Sequence, residues 1–286
     1  GAQTDRRLGI PGEDLKGSHP ATDFVAWYNG HPDYRACEFD LSQERVAVVG
    51  VGNVAIDVAR ILCLTPAELA VTDMADYAIE ALTQSKVKEV YLLGRRGPAQ
   101  AAFTNPEIKE VGELEGADAI VLPQEAQLDE LSRAEVEAAN DPTLTKKVGI
   151  LQSYAKPKAT SKPRKLVIRF LVSPTEIIGD AEGRVTAMRL VKNVLIEKAP
   201  GVLSPKATDQ TEELPIGLVF RSVGYRGVPL PDVPFDERAG IIPNEGGRVM
   251  DPQTKQARIG DYVSGWIKRG PSGVIGTNKQ DSVETV

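Results

Sequence analysis

Residues 45–55, RVAVVGVGNVA, decide the fold. The apolar run at 46–49 is the kind that sits buried inside a parallel sheet. Gly50-x-Gly52-x-x-Ala55 follows it directly, and the pattern predicts a helix over 53–64. Each small residue has its own task in such a turn. Gly50 permits the tight reversal, Gly52 lets the backbone approach a pyrophosphate closely, and Ala55 lets the helix pack against its strand. Val51, Asn53 and Val54 complete the turn, whose helix N-terminus offers N–H donors and a partial positive charge. Taken alone, the motif also describes a plain strand–helix turn.

Moving outward, 66–82 reads as an amphipathic helix and 87–93 as a second strand, ending at Gly94-Arg95-Arg96-Gly97. These elements make a βαβ unit with an extra helix in the crossover. Sites for NAD place an acid at this second strand end, to take the ribose 2′-hydroxyl; a 2′-phosphate needs a cation there instead. Two arginines stand there with no acid, and guanidinium grips phosphate in bidentate fashion. The pair therefore selects NADP(H); a solvated basic turn is the other reading.

Further along, 105–114 reads as a helix, 119–123 as a third strand and 125–140 as a charged helix before a loop at Asp141–Pro142. Segments 165–172, 175–178 and 185–194 read as β, with a turn at 179–183. They predict a small antiparallel layer inserted in a parallel fold. Another strand is expected at 214–223, a last one at 262–266, and a helix near Thr277. The expected class is α/β: a Rossmann-like domain with a parallel sheet and a small antiparallel β insertion.

The 286 residues carry 41% hydrophobic and 26% charged side chains, ordinary for a globular protein. A net charge of -6 excludes a nucleic-acid binder, and 5% aromatic content leaves little to stack bases. Cys37, Cys63, His19 and His31 form no ligand-spaced cluster, so neither a metal site nor a disulfide framework is expected. No apolar run reaches the roughly 18 residues of a membrane span.

Four segments together resemble adrenodoxin-reductase-type ferredoxin–NADP reductases: 50–60 (GVGNVAIDVAR), 92–110 (LLGRRGPAQAAFTNPEIKE), 221–227 (RSVGYRG) and 263–279 (VSGWIKRGPSGVIGTNK). The resemblance implies an FAD-dependent enzyme whose NADP-binding domain is inserted in its FAD-binding domain. Hydride would pass from NADPH to FAD, and single electrons onward to a ferredoxin-type iron–sulfur protein. In those terms 1–5 and 222–286 would be segments of the FAD-binding domain, and 6–221 the NADP-binding domain.

Val51 to Val54 would then line the pyrophosphate turn, Arg95 and Arg96 would hold the 2′-phosphate, and Glu107 would contact bound NADP. Glu110 would be the catalytic acid beside nicotinamide and flavin, paired in family members with a histidine. Trp266, Gly273, Val274 and Ile275 would contact FAD. Each has a bland alternative: Glu107 and Glu110 as surface carboxylates at helical spacing, Trp266 as core. Lys268 and Arg269 face either phosphate or solvent.

The FAD-binding glycine unit and the histidine are expected upstream of Gly1, so this stretch by itself is expected to bind FAD poorly and not to turn over. The run 156–165 (KPKATSKPRK), with Arg169 beyond it, is either a docking patch for an acidic ferredoxin or a solvated loop. A glutamate-synthase-like reductase portion and a non-catalytic NADP-binding module are the alternative functions. The expected compartment is the cytoplasm, or the mitochondrial matrix in a eukaryote.

Overall fold

A strand with apolar residues on both faces must be covered on both sides, and Arg45–Val49 is such a strand. A computed structural model describes residues 2–156, 162–273 and 275–286. The chain divides into two units, one of Arg7–Val223 and one of Gly1–Arg6 with Gly224–Val286.

The larger unit is built on a six-stranded sheet. Its order is Ser18–Pro20, Leu218–Arg221, Arg45–Val49, Glu89–Leu93, Arg164–Arg169, Ala117–Val121, and every pairing is parallel. Along the central strand Val46 and Val48 join one core cluster, with Ile56, Ala59 and Leu62 of helix Asn53–Cys63. Ala47 and Val49 join the other, with Ile177, Met188 and Leu190 of an antiparallel sheet. Alternate side chains thus feed a helical layer and a β layer, so the run has no polar face. The antiparallel sheet is Val172–Gly179, Val185–Ala199 and Val202–Pro215, in that order.

The expected elements form, with differences that have physical causes. The segment 66–82 splits into Pro66–Leu69 and Asp76–Thr83. Thr65 and Glu68 make a capping box at the first piece, and Ala75 N–H donates to Tyr28 O at 2.9 Å, which draws the chain out of the helix. The helix expected over 125–140 becomes Pro123–Ala126 and Glu130–Ala139, because Asp129 caps the second piece. Asp141, expected in a loop, instead N-caps the unforeseen helix Pro142–Tyr154 through Thr143 N–H.

The run 165–172 is divided between two sheets. Arg164–Arg169 belongs to the parallel sheet and Val172–Gly179 to the antiparallel one, with Leu171 at φ 56° making the corner between them. Likewise 214–223 divides between the end of Val202–Pro215 and the parallel strand Leu218–Arg221.

The smaller unit pairs Ala2–Asp5 antiparallel with Tyr225–Gly227. A three-stranded antiparallel sheet follows (Asn244–Glu245, Arg248–Met250, Ala257–Tyr262), then the helices Trp266–Arg269 and Ile275–Thr285. Its core is small, built on Ile242, Val249 and Val263. Among the described residues no helix is long and apolar enough to cross a membrane.

Candidate functional site

The glycine turn lies at the carboxyl end of the central strand, the edge where open α/β sheets bind ligands. Gly50 and Gly52 are glycine for different reasons. Gly50 adopts φ +133°, and a Cβ on it would stand 2.1 Å from the Ser222 carbonyl oxygen. The protein's own backbone forbids a side chain there. Gly52 has an ordinary φ of -101°, and a Cβ on it would meet no protein atom within 4 Å. Among the described residues, no group of the protein stands where a side chain at 52 would go.

Gly52 is also the N-cap of Asn53–Cys63, and no side chain caps that helix end. The first intrahelical bond runs from Ile56 N–H to Gly52 O at 3.1 Å. The N–H groups of Asn53, Val54 and Ala55 therefore have no partner inside the helix, and no acid stands in the first turn. Such an end favours an anion. Ala55 is fully buried under it. Val51 O accepts from Ala102 N–H and Phe103 N–H at 2.9 and 3.1 Å. The Asn53 side-chain oxygen accepts from Thr104 N–H at 3.0 Å, so it straps the turn.

The arginine turn abuts this one: a Cβ on Gly94 would stand 2.9 Å from Val51 Cγ1. Its backbone is held at every residue. Gly94 N–H donates to Arg169 O at 2.9 Å, Leu171 N–H to Arg96 O at 3.1 Å, and Asn193 Nδ2 to Arg95 O at 2.9 Å. Gly97 N–H donates to Gln100 Oε1 at 3.0 Å. The side chains are the reverse case. Arg95 is exposed and Arg96 half-buried, and among the described residues neither guanidinium has an ion-pair or hydrogen-bond partner. Beneath the turn Arg169 is buried, paired with Glu125 at 2.9 Å and Glu212 at 2.8 Å.

Acidic groups gather where Asn53–Cys63 meets Asn105–Val111. Glu107 is in the first turn of the second helix, and its Oε2 is buried without a hydrogen-bond partner. Glu110 pairs with Arg60 at 2.5 Å, a partner the sequence reading did not supply. Burial pushes the Asp57 carboxyl above the usual range; Arg60 opposes this and the charges of Glu107 and Glu110 add to it.

In the smaller unit Trp266 stacks on Tyr225, with ring centroids 5.4 Å apart and planes at 23°. Its indole Nε1 is buried without a partner. Trp266 opens a short helix rather than ending a strand, because Gly265 at φ +76° breaks the chain after Ala257–Tyr262. Lys268 and Arg269 both pair with the buried Asp281, at 2.9 and 3.1 Å, a partner the sequence did not announce. Gly273 takes φ +79°. Val274 lies outside the described residues, and Ile275 begins the last helix.

Among the described residues of the basic run, four cations are engaged within the chain. Lys162 donates to Leu114 O, Arg164 to Leu64 O at 2.8 Å, Lys165 pairs with Glu89 at 3.8 Å, and Arg169 is buried. Lys158 lies outside the described residues.

No family model matches the chain. Known proteins do. The chain is 48% identical over 286 residues to NADPH-ferredoxin reductase FprA of Mycobacterium tuberculosis, covering 100% of this chain and 60% of that one. The structure of Mycobacterium tuberculosis FprA in complex with NADPH matches with a TM-score of 0.91 at 47% identity, again over 100% of this chain and 60% of the other. The chain is a homologue of the adrenodoxin-reductase-type ferredoxin–NADP reductases. Mitochondrial NADPH:adrenodoxin oxidoreductase of Arabidopsis thaliana is 39% identical over 299 residues, covering 100% of this chain and 61% of that one. The chain thus spans 60% of the length of the first of these reductases.

Relative to this family, the motif reading found the two turns and missed what holds them. Asn193 had a signal: in strand Val185–Ala199 it occupies the inward position between the buried Val191 and Leu195. A polar residue at an inward position is a question to be answered. Arg60 follows Asp57 at helical spacing, a weaker signal. Ser222, which dictates Gly50, gave none.

Proposed function

We propose that this chain is the NADP(H)-binding part of an FAD-dependent ferredoxin–NADP reductase. The observation that carries the reading is the contrast at the two abutting turns. Every backbone group of the arginine turn named above is satisfied by protein, while both guanidinia are unpaired. Beside them stands an uncapped helix end behind a glycine that no protein atom demands. A pyrophosphate fits the first turn and a 2′-phosphate the second.

In this reading the N–H groups of residues 53–55 bind the pyrophosphate and Arg95 and Arg96 clamp the 2′-phosphate. Glu107, with an unpartnered buried oxygen, accepts a hydrogen bond from the bound nucleotide. Arg60 fixes where the Glu110 carboxylate stands. Trp266 has an unpartnered indole N–H to offer FAD, and Gly273, Val274 and Ile275 lie on the same stretch. Bound NADPH supplies a hydride for FAD, and a ferredoxin-type iron–sulfur protein takes electrons singly in the whole enzyme.

Calorimetric titration with NADP+ and NAD+ tests this. Tighter binding of NADP+ is expected, and equal affinity for both would overturn the reading.

A further inference from the structure

We propose that Asn193 is a specificity-positioning residue for the 2′-phosphate, acting through the backbone of the arginine pair; this rests on the NADP(H) reading above. Asn193 lies in the antiparallel layer, outside the βαβ unit that carries both turns. It is 3% exposed. A buried carboxamide is costly unless its donors are satisfied. Its Nδ2 donates to Arg95 O at 2.9 Å and to Ser173 Oγ at 2.8 Å. Its own N–H donates to Leu171 O at 2.7 Å.

Leu171 is the second half of the device. It holds φ 56°, which a branched side chain adopts only when its surroundings impose it. In that conformation its N–H reaches Arg96 O at 3.1 Å while its carbonyl receives Asn193. The two arginine carbonyls are therefore gripped by one connected group: Asn193 on Arg95, and Leu171, itself held by Asn193, on Arg96. The strand carries a register irregularity between Val191 and Asn193, which departs from regular pairing at the clamp.

The grip leaves the guanidinia free while fixing the peptide planes from which they extend. Two long side chains recognise one phosphate with less ordering cost when their backbone is already set. Loosening the backbone should weaken the contact with the 2′-phosphate and leave the pyrophosphate turn alone. A residue needed only for folding would weaken every adenine nucleotide alike.

The test is calorimetric titration of the chain with adenosine 2′,5′-bisphosphate and with 5′-AMP, which differ by the 2′-phosphate. Asn193→Ala should reduce the preference for the bisphosphate about five- to tenfold, the loss of one or two hydrogen bonds' worth of ordering, with 5′-AMP affinity unchanged. Ser173→Ala removes the carboxamide's second anchor and should reduce the preference about two- to threefold. It also decides the matter if Asn193→Ala does not fold. Asn193→Ser, which keeps a donor, should restore part of the loss. An unchanged preference in the folded variants, or an equal loss for both ligands, overturns the inference. Absence of any preference in the unaltered chain overturns the NADP(H) reading instead.

Discussion

Replacing each of the two turn glycines by alanine should separate stability from binding. At Gly50 the new methyl would sit 2.1 Å from Ser222 O and 2.9 Å from Ser222 C, both backbone atoms of the neighbouring strand's end. It would also have to hold φ +133°. The strained conformation costs about 1–3 kcal/mol and the overpacking about another 1–3 kcal/mol. For a unit of this size each kcal/mol lowers Tm by about 2–4 °C, so Gly50→Ala should melt at least about 5 °C lower. At Gly52 no collision exists and φ is ordinary. Alanine is a poorer N-cap than glycine by about 0.5–1 kcal/mol, and the stiffer unfolded chain returns about the same. Gly52→Ala should therefore melt within a degree or two of the unaltered chain, yet bind NADP+ at least about tenfold more weakly, because its methyl occupies the phosphate's approach. Circular dichroism melts and calorimetric titration check both. A Gly52→Ala protein that melts like Gly50→Ala, or that binds NADP+ at full strength, refutes the division of labour.

Arg95→Ala or Arg96→Ala should each remove about 1–3 kcal/mol of preference for NADP+ over NAD+, read by titration with both nucleotides; an unchanged ratio would show that the pair is only a solvated turn. Glu125→Ala should cost about 1–3 kcal/mol in urea unfolding, because it leaves the buried Arg169 with Glu212 alone and strands the Phe170 N–H that Glu125 accepts at 2.8 Å. The raised Asp57 carboxyl has a signed consequence. The folded state takes up its proton at higher pH than the unfolded chain does, so ionisation opposes folding. Asp57→Asn should be more stable than the parent at pH 7, and that advantage should shrink as pH falls through the raised folded value; a constant or growing advantage on acidification would contradict the assignment.

The two central strands of the parallel sheet were legible because each is an apolar run that ends in a glycine turn; the edge strand Ser18–Pro20, three half-buried residues, was not. Both turns were legible because glycine brackets them in the sequence, at 50 and 52 and at 94 and 97. The stretch 123–164 was not. Asp129 and Asp141 begin helices there, but a capping aspartate and a loop aspartate are the same letter until the downstream N–H group is placed. The division of 165–172 between two sheets was hidden too. Leu171 carries the left-handed corner, and nothing in a leucine announces φ 56°. Long-range partners stayed out of reach for a related reason. Arg60 and Glu110 stand 50 positions apart, and only the packing of two helices sets them together.

The small unit is assembled from two segments far apart in the sequence, and that fixes an order of events during synthesis. Arg6 donates to Tyr225 O across 219 positions, and Arg6 N–H to Gly224 O at 2.9 Å. At about 5–20 residues per second the ribosome needs roughly 10–45 s to supply that partner. The strand Ala2–Asp5 waits through that interval for its partner Tyr225–Gly227. Residues 7–223 meanwhile emerge with all their sheet partners among themselves. The larger unit can thus finish folding on the nascent chain while Ala2–Asp5 still waits for that partner. A mutation that slows the closure of the inserted unit would lengthen that wait and so delay completion of the small unit.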